Sequence, residues 1–365
     1  MRLSIVSILA VFMLFSAGVI YAQELVPDKV VTEKAQVLKI IKQETKKVPG
    51  TDTPTIVQSI NVKLLEGSDT GKVVTIDNDY TALESGEIVY VTHTTNELDD
   101  TDYYFVADVY RLPALYSLMG LFTLCVLLFG GKQGVRGLLS LVGSLFIILY
   151  VLIPAIIHGY PALLMSIGIS SLIIVVGSYI THGFNRTTTS AVIGMIITII
   201  ITGLLAYASV KWTHLTGMSN EESVYLNFNT NGAINLTGLL LGGIMIGLLG
   251  VLYDVAIGQA VAVEELTHAG SHLARKEVYR RALRIGREHI GALVNMLAIA
   301  YVGVSLTLIL LYATSETNLG ATLNREIFAT EIVRIMVGSI GVILAVPITT
   351  VISVLRIKAS VNRTK

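Results

Sequence analysis

Long apolar runs separated by short polar stretches make up the chain after Leu112. Most of these runs are about 20 residues long, which suffices to cross the hydrocarbon core of a bilayer as an α-helix. They lie at 113–129, 138–157, 162–181, 191–210, 234–253, 290–312 and 335–355. The pattern predicts a polytopic α-helical membrane protein with about seven membrane helices over residues 113–365.

The stretch before Leu112 has shorter segments of a different character. They are rich in Val, Ile, Thr and Tyr, are separated by turn signals, and lie at 37–41, 55–65, 72–78, 87–93 and 103–110. Five short strands in so few residues predict a small all-β domain over 23–112, a partly open barrel of the OB or biotinyl-lipoyl kind. Gln58, Asn61 and Lys63 punctuate the second strand, so we expect one of its faces in water.

The first 22 residues have the pattern of an export signal. Arg2 precedes an apolar run, and the small residue Ala22 follows it. The segment is therefore expected to be a signal peptide cleaved after Ala22, or an anchor that stays in the membrane.

Basic residues predict the orientation of the membrane domain. Lys132, Arg136 and Arg186 lie in alternate connections, and six more lysines and arginines lie at 275–287. The intervening connections hold only Lys211 and Arg325. By the positive-inside rule, residues 23–112 are extracytoplasmic and the C-terminus is cytoplasmic.

Composition agrees with a membrane protein and limits its partners. Hydrophobic residues make up 53% of the chain, charged residues 14%, and the net charge is zero. The lipid bilayer is thus the expected partner, and nothing indicates nucleic acid. The single cysteine, Cys125, lies in an apolar run, so the exported domain has no disulfide framework.

The charged interval 254–289, between two apolar runs, holds the main candidate site. Ionisable groups are expensive at a hydrocarbon boundary and often functional. Asp254 and Glu265 share one helix face, and His268 lies within one turn of Glu264 and Glu265. Three interpretations remain open: a solvated cytoplasmic face, a proton or cation relay for transport, or a metal site, although no zinc signature is present.

A basic face follows the acidic residues. It is formed by Lys276, Arg280, Arg284 and Arg287, and it suits either anionic lipid or an anionic substrate. Arg287 and Glu288 lead into the next apolar run. Asn295, one or two turns into that run, is expected either to join helices or to line a pathway.

Five glycines in one apolar run and one pair of opposite charges predict contacts within the helical domain. Gly238, Gly242, Gly243, Gly247 and Gly250 lie in one apolar run and form two Gly-x-x-x-Gly pairs, a pattern typical of close helix packing. Glu331 and Arg334 are spaced as an ion pair one turn apart.

Several of these motifs together resemble the YibE/F-like family of bacterial membrane proteins. They are GVLYDVAIG at 250–258, VEEL at 263–266, IGRE at 285–288 with Gly291 and Asn295, and AYVG at 300–303. The order of anchor, exported β-rich domain and multi-spanning bundle is also similar. The chain departs from the family pattern at Glu288, where Asp is expected, and at Met296, where a small hydroxyl residue is expected.

The resemblance implies a bacterial cytoplasmic membrane protein with a transport-related role. We expect a permease-like protein for an unknown small solute or ion, with Asp254 and Glu264 or Glu265 coupling protons or cations. The alternative is a non-transporting assembly or sensing protein whose exported domain binds a ligand or partner. No enzyme motif and no cofactor signature is found, and a homo-oligomer or a related family partner is plausible by resemblance.

Overall fold

A computed structural model describes residues 29–48, 50, 52–96, 101–270, 272–315 and 318–361, with side chains to Arg356. The signal or anchor segment expected at 1–22 lies outside these residues. The chain divides into two compact units, Met1–Leu121 and Phe122–Lys365.

The first unit contains one five-stranded antiparallel sheet. Its strands are β1 (Lys29–Lys47), β2 (Pro54–Leu64), β3 (Val73–Asn78), β4 (Ile88–Asn96) and β5 (Thr101–Val109), in the order β3-β2-β1-β4-β5. All five predicted strands are confirmed. β1 pairs with β4 through its first half and with β2 through its second half, and two register shifts interrupt the β1–β2 ladder. Such irregularities bend a strand and increase its twist, and the sheet curls into a half-barrel.

Side chains of alternating position fill the inside of the half-barrel. Ile60, Val62 and Leu64 of β2 are buried together with Val89 and Val91 of β4. Lys63 of β2 is exposed, as expected for a strand with one wet face.

Gln58 corrects that expectation, because it lies on the inner face and is 1% exposed. Its Oε1 accepts hydrogen bonds from Asn78 Nδ2 (3.1 Å) and Leu83 N (2.8 Å). Its Nε2 donates to Leu83 O and to Gln43 Oε1, both at 2.9 Å. A buried amide with these partners avoids the cost of lost hydration, and it fixes the segment after β3 against the barrel.

Helices form the second unit and the connection into it. They are α1 (Leu112–Ile147), α2 (Ile153–Ile157), α3 (Ala162–His182), α4 (Arg186–Trp212), α5 (Glu221–Asn229), α6 (Leu236–Ala269), α7 (Arg275–Val304), α8 (Leu306–Ala313), α9 (Leu319–Leu323) and α10 (Glu326–Val361), with a π-helical turn at Ile148–Leu152. All seven predicted apolar segments lie in helical stretches. Within the described residues, five helices are long and apolar enough to cross a membrane, or six when α7 and α8, bent by 67°, form one span.

Besides the bent α7–α8 pair, the difference from seven predicted segments lies at α1 and α2. Segments 113–129 and 138–157 fall in one helical stretch, Leu112–Ile157. Gly131 interrupts it with φ 52° and ψ −135°, outside the helical region. A Cβ at Gly134 would lie 2.3 Å from Val126 O, so the chain turns sharply between these two residues.

The core of the helical unit is formed by α3, α4, α6, α7 and α10. Met195 and Ile199 of α4, Met245 and Leu248 of α6, and Val342 of α10 are fully or almost fully buried in it. A 34-residue α6 is about 51 Å long, which exceeds a hydrocarbon core of about 30 Å. The polar half of α6 from Asp254 onward therefore has room to extend beyond the apolar layer.

Close helix contacts use three of the five glycines predicted for packing. A Cβ at Gly238 or Gly242 would approach Ala162 or Ser166 of α3, and one at Gly247 would approach Tyr301 of α7. A Cβ at Gly243 or Gly250 would meet no atom within 4 Å.

Candidate functional site

A cavity of about 210 Å³ lies between α6, α7 and α10. Asp254, Gln259 and His289 are its polar lining residues. The other lining residues are Val255, Gly258, Ile285, Gly286, Leu293 and Val346. We call it the Asp254 cavity. It places a carboxylate, an amide and an imidazole together among apolar side chains.

Gln259 joins the three helices around the cavity. It is 4% exposed, and its Nε2 donates to Ala282 O of α7 (2.8 Å) and to Thr350 Oγ1 of α10 (2.7 Å). The Thr350 hydroxyl donates onward to Val346 O, so both amide hydrogens of Gln259 are in use.

Gly286 lets α7 approach Gln259. A Cβ at this position would lie 2.4 Å from Val346 Cγ1 and 2.8 Å from Gln259 Oε1. Any larger residue would displace the side chains of Val346 and Gln259. The Gln259 oxygen therefore lies beside the Gly286 backbone, at the cavity wall.

The Asp254 carboxylate and the His289 imidazole have no hydrogen bond or ion pair with any residue that the structure describes. Both side chains are exposed as well as lining the cavity, so solvent reaches them. A carboxylate without an ion-pair partner at the end of an apolar span is open to a ligand that carries positive charge.

The other acidic candidates lie on α6 beyond the cavity. Glu265 and His268 are exposed and Glu264 is half-buried, and none of them lines the cavity. Neither glutamate forms an ion pair with a described arginine. No group of three or more His, Cys, Asp or Glu within the described part of the chain fits a metal ion, so the geometry gives the metal interpretation no support.

The candidates on α7 also lie outside the cavity. Arg287 and Glu288 are exposed on either side of the wall residues Gly286 and His289. Asn295 is exposed on the outer surface of α7 rather than held between helices, because the face of α7 that packs inward carries Gly286 and Leu297.

The basic face begins with a local ion-pair cluster. Glu277 pairs with Arg280 Nη2 at 2.7 Å and with Arg281 Nε at 2.6 Å. Among described residues, Lys276, Arg284 and Arg287 have no carboxylate partner, so three positive charges remain open to an anion.

The chain matches the model of one protein family. The model described as YibE/F-like protein matches residues 118–359, well over half of the chain and all of the cavity. The chain belongs to the YibE/F-like family. No curated protein and no solved structure gives a significant match.

Family membership confirms the resemblance seen in the motifs around the cavity. Asp254 and Gly258 of GVLYDVAIG line it, as do Ile285 and Gly286 of IGRE. Two of the motifs that carry the resemblance therefore meet at the α6–α7 contact. Glu288 and Met296 are exposed and lie outside the cavity wall.

A second cavity of about 510 Å³ lies near the bend between α7 and α8 of this YibE/F-like chain. Its walls are mostly apolar, and its polar edge includes Glu331, Tyr301 and Tyr312. Glu331 accepts two hydrogen bonds from Arg334 Nη1, at 2.8 and 3.1 Å, which confirms the predicted ion pair. Arg334 also lies over the Tyr301 ring, 5.7 Å from its centroid.

The β domain has a polar cluster of its own, at Asp69, Lys72, His93, Asp102 and Tyr104. The His93 ring stacks on Tyr104 with centroids 4.4 Å apart, and His93 Nε2 lies 2.6 Å from Asp102 Oδ1. Lys72 Nζ donates to Asp69 Oδ2 (2.7 Å) and to the Tyr104 hydroxyl (3.1 Å).

These contacts shift the pKa values of several side chains in the cluster. The hydrogen bond from His93, aided by Thr95, lowers the pKa of Asp102. The hydrogen bond from Lys72 lowers the pKa of Asp69 in the same way, and Asp69 in turn raises the pKa of Lys72. The contacts of Lys72 and Tyr104 link the segment before β3 to β5, so they help to hold the sheet in its curled form.

Proposed function

We propose that this YibE/F-like protein is a permease-like membrane protein that moves a small solute or ion through the Asp254 cavity. One observation carries the proposal. An unpaired carboxylate at the end of an apolar span opens into a cavity between three helices. Protonation or cation binding would neutralise Asp254, and a neutral group changes its exposure to lipid or solvent at lower cost than a charged one.

Under this proposal the protein is multi-pass in the bacterial cytoplasmic membrane. The β domain is extracytoplasmic, and the α6–α7 connection and the C-terminus are cytoplasmic, as the basic residues at 275–287 favour. The break at Gly131 supports two crossings within Leu112–Ile157, which gives seven in all. The function involves no chemical step and no cofactor, and the exposed apolar helix faces contact lipid, a second copy or a related family member.

The Asp254 cavity has one further property that suits transport. Its walls come from α6, α7 and α10, and only Gln259 among the cavity's polar residues bonds all three helices together. A small rotation of α7 would exchange the Ala282 contact of Gln259 for another partner. Such an exchange would convert a cavity that is open to one side of the membrane into a cavity that is open to the other side.

A sensing or assembly role is the second candidate, and the β-domain cluster favours it. His93, Asp102 and Tyr104 present hydrogen-bonding groups on one strand pair, where an envelope ligand or partner would find them. In that case deletion of residues 23–112 behind a replacement signal abolishes function, whereas Asp254→Asn leaves it intact.

The experiment compares cells of a deletion strain that carry wild type, Asp254→Asn, Glu265→Gln or no copy. Ions and small metabolites are profiled in the cells and in the medium. We expect one compound to shift reciprocally, with rescue by wild type and Glu265→Gln and none by Asp254→Asn. Glu265→Gln is the matched control, because it removes a carboxylate from the same helix outside the cavity. A shift that Asp254→Asn still rescues would overturn the assignment of the site.

A further inference from the structure

We infer that the Asp254 cavity binds a small ammonium-type cation, that is, one that donates N–H hydrogen bonds. The Asp254 carboxylate, the Gln259 carbonyl oxygen and the His289 imidazole would accept those bonds. The inference rests on the proposed function, because it names the chemical class that the same cavity takes.

The charge of the cavity excludes an anion. Asp254 is its one carboxylate, and none of the described residues that line it is a lysine or an arginine. The arginines of α7 lie outside the wall. An anion would therefore meet an uncompensated negative charge in apolar surroundings, whereas a cation would neutralise it.

The hydrogen-bonding capacity of Gln259 also favours a ligand that donates hydrogen bonds. Its two amide hydrogens are committed to Ala282 O and Thr350 Oγ1, and no described residue donates to its Oε1. The fold thus presents Gln259 to the cavity as an acceptor. Together with the Asp254 carboxylate and one ring nitrogen of His289 it offers three acceptors, which is the number of donors on a primary ammonium group.

Size and donor set separate this class from metal ions. A volume of about 210 Å³ lies below the roughly 300–1,000 Å³ of pockets for drug-sized ligands, so the ligand is small. The described residues supply two kinds of oxygen, from Asp254 and Gln259. A calcium ion takes about six to eight oxygen ligands, more than these two side chains supply, whereas an ammonium group needs one acceptor for each N–H.

Binding of a donor at Oε1 would also affect the helices. A hydrogen bond to the amide oxygen polarises the amide and strengthens the bonds that its nitrogen donates. Occupation of the cavity should therefore tighten the contacts of α6 with α7 and α10. Ligand binding and helix packing then depend on the same side chain.

The experiment measures thermal unfolding of the purified full-length protein. Chlorides of ammonium, methylammonium, tetramethylammonium and sodium are added at equal ionic strength. We expect ammonium and methylammonium to raise the midpoint in a saturable way, because a ligand that binds the native state stabilises it. Tetramethylammonium, which has no N–H donor, and sodium should leave the midpoint unchanged. An equal rise with either of them would overturn the inference.

Variants assign the effect to the cavity. Asp254→Asn should abolish the methylammonium response and Glu265→Gln should keep it. Thr350→Val removes one of the two bonds that hold the Gln259 amide, so the amide can rotate and no longer fixes Oε1 toward the cavity. The loss of this one hydrogen bond from the ligand should weaken the apparent affinity about tenfold. A full response in Asp254→Asn would contradict the inference even if Thr350→Val behaved as expected.

The two proposals fail separately. If methylammonium has no effect but a solute still shifts in cells and depends on Asp254, the cation class is wrong and transport stands. If methylammonium binds through Asp254 but no solute shifts, the cation site stands and transport is wrong.

Discussion

Two side chains five residues apart on α6 meet opposite environments. Gln259 is buried and donates both of its amide hydrogens, whereas Asp254 is exposed and has no partner among the described residues. A buried amide that is fully bonded gives rigidity, and a free carboxylate gives a group that can gain or lose a proton or a cation. The cavity therefore places the fixed amide oxygen of Gln259 beside the unpaired carboxylate of Asp254.

Asp254 could be found from the sequence because a charge at the end of an apolar run is conspicuous. Gln259 and His289 could not. Gln259 lies among small and apolar residues, and its partners are 23 and 91 residues away along the chain. His289 lies 35 positions after Asp254, and the α6–α7 crossing at Gly286 alone brings them to one cavity.

Asp102 in the β domain carries a pH prediction. Its pKa is lowered in the folded protein by the His93 and Thr95 hydrogen bonds. A lowered pKa contributes stability that is present above the unfolded value, about 3.9, and lost as pH falls through the folded value. We therefore expect the protection factors of the amides in β4 and β5, which correct for the intrinsic slowing of exchange in acid, to decrease as the pH falls below about 4.

Hydrogen exchange of wild type and Asp102→Asn checks this. The variant should exchange faster at neutral pH and show a smaller change on acidification. Asp79→Asn, which removes an exposed carboxylate, is the control and should behave as wild type. An identical acid response in Asp102→Asn would show that the His93–Asp102 contact does not contribute.

At the scale of elements, glycine position decides how closely helices pack. The repeat of small residues on α6 predicts contact, but it does not say with which helix. In the structure, Gly238 and Gly242 face α3, Gly247 faces Tyr301 of α7, and Gly243 faces open space. At about 3.6 residues per turn, Gly238 and Gly242 lie on nearly the same face of α6, whereas Gly243 is turned about 100° away from Gly242.

Gly242→Ala and Gly243→Ala form a matched pair that tests this packing. A Cβ at Gly242 would lie 2.5 Å from Ser166 Oγ, so the buried Ser166 hydroxyl has to rotate away, and we expect a loss of about 1 kcal/mol in unfolding free energy. At Gly243 the alanine has space and a better helix propensity, and the change should be within about 0.5 kcal/mol or stabilising. Denaturation of the purified variants gives both values. Equal losses at the two positions would contradict the helix arrangement.

At the scale of the whole molecule, the sequence predicts a β domain followed by a helical membrane domain. The strands are predicted from side chains that alternate between apolar and polar, and the helices from runs of about 20 apolar residues. The structure contains both the five strands and the apolar helices. The number of crossings is harder to predict, because it depends on local geometry. Gly131 breaks Leu112–Ile157 through its positive φ, and α7 bends by 67° before α8. Neither position carries a proline that would signal a break.

Orientation can be measured with single cysteines. Cys125 is the one cysteine of the chain, so Cys125→Ser supplies a cysteine-free background. In spheroplasts we expect a membrane-impermeant maleimide to label Ser85→Cys in the β domain, and to label His272→Cys only after lysis. Labelling in the reverse order would overturn the proposed topology, and the cysteine-free protein shows the background.

The central claim is that a solute crosses the membrane through the Asp254 cavity, and transport by the purified protein tests it most directly. Proteoliposomes containing wild type, Asp254→Asn or Glu265→Gln would be loaded with the solute that shifts in cells, and its exchange across the membrane would be followed. The account predicts exchange by wild type and Glu265→Gln, and none by Asp254→Asn. Exchange by Asp254→Asn at the wild-type rate would contradict it.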